Sequence, residues 1–192
     1  GFDVKGQLLA PKAGKPKSNL RGKGFTVSED GNTYYAAIDG KVEYCNYDLR
    51  IVNVLDISGD VDLNIGNIDF NGDVNITGNV ITGVTIRAMG SIYIGGYVEG
   101  AVIKSNKDIV LNKGVNANGI GQIEAKGNIS ARFFENAIVY AEGDVNAGYI
   151  LSSKIMALGK VIVQGSRGTI HGGDVTGVMG IETSNAGNAS YA

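Results

Sequence analysis

Residues 84–111, VTIRAMGSIYIGGYVEGAVIKSNKDIVL, restrict the fold more than any other stretch of the chain. Ile86, Ala88, Gly90, Ile92 and Ile94 form the pattern Ile-x-Ala-x-Gly-x-Ile-x-Ile, and Ile103, Ser105, Lys107, Ile109 and Leu111 repeat it with substitutions. Aliphatic residues two apart in extended backbone share one face. A Gly between two such pairs suits a bend between short strands. The unit therefore reads as strand, tight corner, strand.

The unit recurs. Its opening aliphatic falls at Leu55, Ile68, Ile86, Ile103, Ile123, Val139 and Ile155. Four positions on stand Gly59, Gly72, Gly90, Gly127, Gly143 and Gly159, with Lys107 the exception. An inward pair follows at Val61/Leu63, Val74/Ile76, Ile92/Ile94, Ile109/Leu111, Ile129/Ala131, Val145/Ala147 and Val161/Val163. The units lie 13, 18, 17, 20, 16 and 16 residues apart. That is too short for a helical repeat or a propeller blade and suits one coil of a β-solenoid. Each buried aliphatic contributes roughly 1.5–3 kcal/mol, against about 1–2 kcal/mol for each residue ordered. A lone coil cannot stand, and stability must come from stacking.

Aliphatics also recur every six residues at Ile68, Val74, Val80, Ile86, Ile92 and Val98. This is the hexapeptide rhythm of left-handed β-helices of the acyltransferase type. It loses phase after Val98, and units of 13 and 20 residues do not fit three sides of six. The expectation is an all-β chain: a right-handed parallel β-helix of about seven coils over residues 55–175. A small antiparallel β subdomain at 1–54 precedes it and covers the strand edges of the first coil. Residues 176–192 are expected to form a mobile tail.

Composition agrees. Gly is 30 of 192 residues and Pro only 2, the profile of a turn-dense β protein. No apolar run approaches the length of a membrane span, and no signal peptide is visible. The single Cys45 excludes an internal disulfide and suits a reducing compartment. A net charge of −2 argues against general nucleic-acid binding.

Residues 11–24 hold Lys12, Lys15, Lys17, Arg21 and Lys23 with no acid, and both prolines. These five cations are the candidate docking residues, although a basic run without interleaved aromatics also reads as a solvated loop. Residues 25–55 alternate apolar and polar, with turn signals at 29–31, 39–40 and Asn46, which predicts an antiparallel meander of four strands. Tyr34, Tyr35, Tyr44 and Tyr47 concentrate there. Residues 112–121 are expected to form a loop extruded from the longest coil. Of the adjacent Phe133 and Phe134, one should enter the core and the other anchor the surface.

Chemistry is sparse. His171 is the sole His, so triad machinery would have to use it, and a surface or turn role fits its place in TIHGG better. One His and one Cys far apart do not make a zinc site. Asp60, Asp73, Asp108 and Asp144 share one repeat position, and stacking would bring some of them about 5 Å apart. Such acids could hold calcium and act on an acidic glycan. Ser91, Asn128 and Lys160 stand there in other coils, and turn chemistry accounts for Asx and Ser beside a Gly corner. No catalytic, metal-binding or cofactor-binding residue is assigned, and no cofactor is expected.

Residues 66–103, 121–145 and 159–173, with SEDGNTYYAAIDGKV at 28–42 and LDISGDVDLNIGNIDF at 55–70, resemble the bacterial flagellar assembly protein A family. The resemblance covers nearly the whole chain. It implies a cytoplasmic protein with a β-helix core, linked in some bacteria to flagellar assembly, and it carries no catalytic residues over. The core is also similar to the β-helix domain of a bacterial division inhibitor, a dimerising, partner-binding module. The resulting expectation is a non-enzymatic scaffold linked to flagellar assembly or to organisation of the cell pole or surface. It would contact unidentified protein partners and could self-associate through a solenoid end or face, without a membrane span. A carbohydrate-acting or carbohydrate-binding β-helix is the alternative. Docking of nucleic acid or membrane through residues 12–23 is a third reading.

Overall fold

The computed structural model describes residues 4–7, 20–165 and 168–187. Every regular element among them is a strand. Seventeen strands form one sheet wound into about seven stacked coils of three sides, all paired in parallel.

Each side stacks one inward residue per coil. The first side carries Leu55, Val74, Ile92, Ile109, Ile129, Val145, Val161 and Ile181. The second carries Val61, Val80, Val98, Val115, Phe134, Ile150, Ile170 and Ala186. The third carries Ile68, Ile86, Ile103, Ile123, Val139, Ile155 and Val175. Most are fully buried and make one continuous core. Because parallel strands hold every coil to its neighbours, burial is shared along the axis.

Leu55 pairs with Val74, not with Ile68. The 13-residue spacing at the start of the repeat therefore compares two different sides, and Leu63, expected inward, is 72% exposed. The six-residue rhythm is real geometry: Ile68, Val74 and Val80 occupy the third, first and second sides in turn. It loses phase because only one corner has fixed length. From third side to first, the step is six residues in every coil, from Ile68–Val74 through Val175–Ile181. The other two corners lose or gain residues. Arg132 alone turns the corner that Gly95 and Gly96 turn two coils earlier.

The invariant corner has its own ladder. Asp73 Oδ1 accepts the Ser91 N–H at 2.7 Å, Asp108 that of Asn128 at 2.7 Å, Asn128 that of Asp144 at 2.8 Å and Asp144 that of Lys160 at 2.7 Å. A Cβ on Gly90, Gly127, Gly143 or Gly159 would strike the Oδ1 of the coil before it, at 2.1–2.5 Å. Where that coil offers no Asx, the Gly is released: Lys107 follows Ser91, and Met179 follows Lys160. The first-to-second corner obeys the same rule. Gly78 follows Asp60 and Gly96 follows Asn79, but Lys113 follows Tyr97. Lys107 has a second support. The Ser105 hydroxyl accepts its N–H at 2.9 Å and donates to the Gly90 carbonyl at 2.7 Å.

The N-terminal strands form two hairpins in separate sheets, not one meander. Phe25–Val27 pairs antiparallel with Tyr34–Ala36. Lys41–Cys45 pairs antiparallel with Asp48–Val52, which also takes Arg21–Lys23 in parallel on its other edge. Asn46 and Tyr47 both have positive φ, the two-residue turn that matches strand twist. The Asn71 side chain ties this region to the first coil by donating to Asp39 at 3.0 Å.

Residues 112–121 do not form one extruded loop. Gly114–Asn116 is a strand, Val115 and Ala117 are buried, and only the turn around Asn118 and Gly119 departs from the coil. At the C-terminal end, pairing continues beyond the expected solenoid limit. Ile181–Thr183 stacks on Val161–Val163, and Asn185–Ala186 on Thr169–Ile170. Alternation carries on because Ile181 and Ala186 still fill the inward columns. Residues 188–192 lie outside the described residues.

Candidate functional site

The aspartates do not gather into a site. Asp60 belongs to a different corner from Asp73, Asp108 and Asp144. The latter three alternate along the stack with Ser91, Asn128 and Lys160, so two coil spacings, about 9.6 Å, separate each aspartate from the next. The expected 5 Å neighbours do not occur, and each of the three spends an oxygen on a backbone N–H of the next coil. Among the described residues no three or more His, Cys, Asp or Glu gather where they could hold a metal ion.

His171 is exposed in the strand Thr169–Gly177 and stacks above Leu151, with Glu135 one coil further. Of the five basic candidates, Lys12, Lys15 and Lys17 lie outside the described residues. Arg21 and Lys23 are exposed on the edge strand Arg21–Lys23, in register with Asp48 and Arg50. Among the described residues no helix is long and apolar enough to cross a membrane.

A groove of about 930 Å³ runs along the first-to-second corner. Its floor is the outward row of the first side, Val110, Ser130, Asn146 and Ile162. Its corner carries Asn112, Arg132, Gly148 and Gln164. Its wall is aromatic. Tyr97, Gly114, Phe133 and Tyr149 follow one another up the second side. Phe133 and Tyr149 stack with centroids 5.1 Å apart and planes at 11°. Gly114 has no side chain to intervene, so Tyr97 reaches Phe133 across it at 6.2 Å. Phe134 points inward and is fully buried, leaving Phe133 as the surface member of the pair. The Tyr149 hydroxyl donates to Glu135 at 2.8 Å, and Lys113 Nζ lies 4.9 Å from the Tyr97 ring centroid.

The groove was not legible as such. Its members come from five coils, and only the pair Phe133–Phe134 signalled that an aromatic leaves the core. The order Tyr97, Gly114, Phe133, Tyr149 becomes visible once the second side is in register.

A further surface is the C-terminal edge. Among the described residues nothing stacks on Ile181–Thr183 or Asn185–Ala186. Val178, Met179 and Ile181 are exposed there. A family model described as the Flagellar Assembly Protein A beta solenoid domain matches residues 53–191. A second, described as the Flagellar Assembly Protein A N-terminal region, matches residues 1–46. Searches of curated proteins and of solved structures returned no match.

Proposed function

We propose that this chain, which belongs to the flagellar assembly protein A family, is a non-enzymatic scaffold. It works by protein–protein contact in the cytoplasm, in flagellar assembly or in organisation of the cell pole or surface. The observation that supports this best is the fate of the polar groups aligned by the repeat. The Asx ladder is committed to bonding coil to coil, which leaves long strand faces as the surfaces on offer among the described residues. The unit boundary falls between the second N-terminal hairpin and Val54, and the N-terminal unit covers the first coil. The basic run of Lys12, Lys15, Lys17, Arg21 and Lys23 docks an acidic partner.

Self-association runs through the last stacked strands among the described residues, where Val178, Met179 and Ile181 are exposed. Light scattering coupled to size exclusion over a wide concentration range tests this. A concentration-dependent dimer lost in Ile181→Lys is expected, and a strict monomer refutes the end-on contact. Deleting the gene in a flagellated bacterium that carries it and counting flagella tests the cellular role. Unchanged number and placement would overturn it.

A further inference from the structure

We infer that the groove beside Tyr97, Phe133 and Tyr149 receives an extended, acidic segment of a protein partner; this rests on the scaffold reading above and names its partner surface.

The charge argues first. The chain as a whole is acidic, with 19 acidic and 17 basic residues. The groove lining nevertheless contains Arg132 and no carboxylate among the described residues. Lys113 adds a second cation at its mouth, over Tyr97. The carboxylate-bound cations among the described residues lie elsewhere, at Lys41, Arg50, Lys104 and Lys160. Arg132 is exposed and has no ion-pair partner among the described residues. An exposed guanidinium with its fork unoccupied is the side chain best suited to take a carboxylate in two hydrogen bonds.

The rings argue second. Phe133 and Tyr149 lie face to face along the solenoid axis. One face of each is used on the other, and rings stacked along the axis turn their edges to a groove that runs beside them. An aromatic edge is the positive part of the ring quadrupole and favours an anion. Ser130 and Asn146 on the floor supply donors and acceptors at successive coils, which suits the alternating N–H and C=O groups of an extended backbone. The groove runs over coils spaced about 4.8 Å apart, roughly 19 Å in all, or about six extended residues.

The test uses the full chain and a short fluorescein-labelled peptide of alternating Glu and Val, with its Gln/Val counterpart as control. Fluorescence anisotropy is expected to show binding of the Glu peptide alone, weakening with salt. Arg132→Gln should weaken it by about tenfold, and Ser130→Glu should abolish it. Both side chains are outside the core, and circular dichroism with the thermal midpoint checks that each variant keeps its fold. Equal binding of the two peptides, no binding of either, or insensitivity to Arg132→Gln overturns the inference. Preferential binding of polygalacturonate or of a single-stranded oligonucleotide would overturn it in favour of that ligand. Light scattering on the same samples separates the two claims. Self-association without peptide binding leaves the scaffold reading standing and removes only the groove's occupant. Peptide binding by a strict monomer keeps the groove and removes the end-on contact.

Discussion

Asp144 and Gly159 occupy the same space in successive coils: a Cβ on Gly159 would lie 2.1 Å from Asp144 Oδ1, the oxygen that accepts the Lys160 N–H. The glycine is required by the carboxylate below it. Gly159→Ala should displace that carboxylate and lower stability by about 1–3 kcal/mol. Asp144→Ser with Gly159→Ala recreates the natural pairing of Ser91 with Lys107. The double variant should therefore recover part of the loss, with a coupling of about 0.5–3 kcal/mol in urea denaturation. Strict additivity would remove the steric rule.

Alternation within a coil predicts a sharp contrast three residues apart. Ile129 is fully buried on the first side, whereas Lys126 is exposed at the corner before it. Ile129→Asp places an unpaired carboxylate in the core and should unfold the solenoid cooperatively. Lys126→Asp should shift the urea midpoint little. Equal losses would contradict the assigned facing.

Gly114 keeps the aromatic wall continuous. Its φ of 153° and a prospective Cβ 2.6 Å from the Phe133 ring leave no room for a side chain. Gly114→Ala should cost about 1–3 kcal/mol and separate Tyr97 from Phe133. A reduced near-ultraviolet circular dichroism signal, with far-ultraviolet signal retained, is the expected record.

Asp62 supplies a pH dependence. The Ile65 N–H at 3.2 Å, helped by Asn64, holds its carboxyl below the usual aspartate range. A folded-state pKa below the unfolded one means the contribution is complete above the ordinary aspartate value and is lost as pH falls through the folded value. Asp62→Asn should flatten the acid limb of the stability profile. Parallel profiles for the two proteins, measured as urea midpoints from neutral into acid, would contradict this.

The sequence carried the solenoid because the third-to-first corner never changes length. Ile86 to Ile92 and Val139 to Val145 are both six residues, so the Gly and the flanking aliphatics stay in phase. The other corners obscured what depended on them. Leu55 matches Ile68 in the pattern but stacks under Val74. Ile181 and Ala186 lay beyond the recognised repeat because the seventh coil carries a longer first-to-second corner, from Val161 to Ile170. The Lys107 exception was visible, but its reason was not: it depends on Ser91, one coil away. The N-terminal hairpins were legible as turns and strands, whereas their separation into two sheets depends on Arg21–Lys23 taking the free edge of Asp48–Val52.

A corner of fixed length beside two of variable length makes this protein a ruler. Extra residues at the variable corners swell the girth and leave the axial pitch alone. Whole coils change the length, in increments of about 4.8 Å. Removing residues 129–144 would bring Asn128 beneath Gly159, another permitted Asx–Gly pair, and shorten the rod by one graduation without disturbing the marks on either side. The separation between the N-terminal hairpins and the strand Ile181–Thr183 is thus quantised by the number of coils.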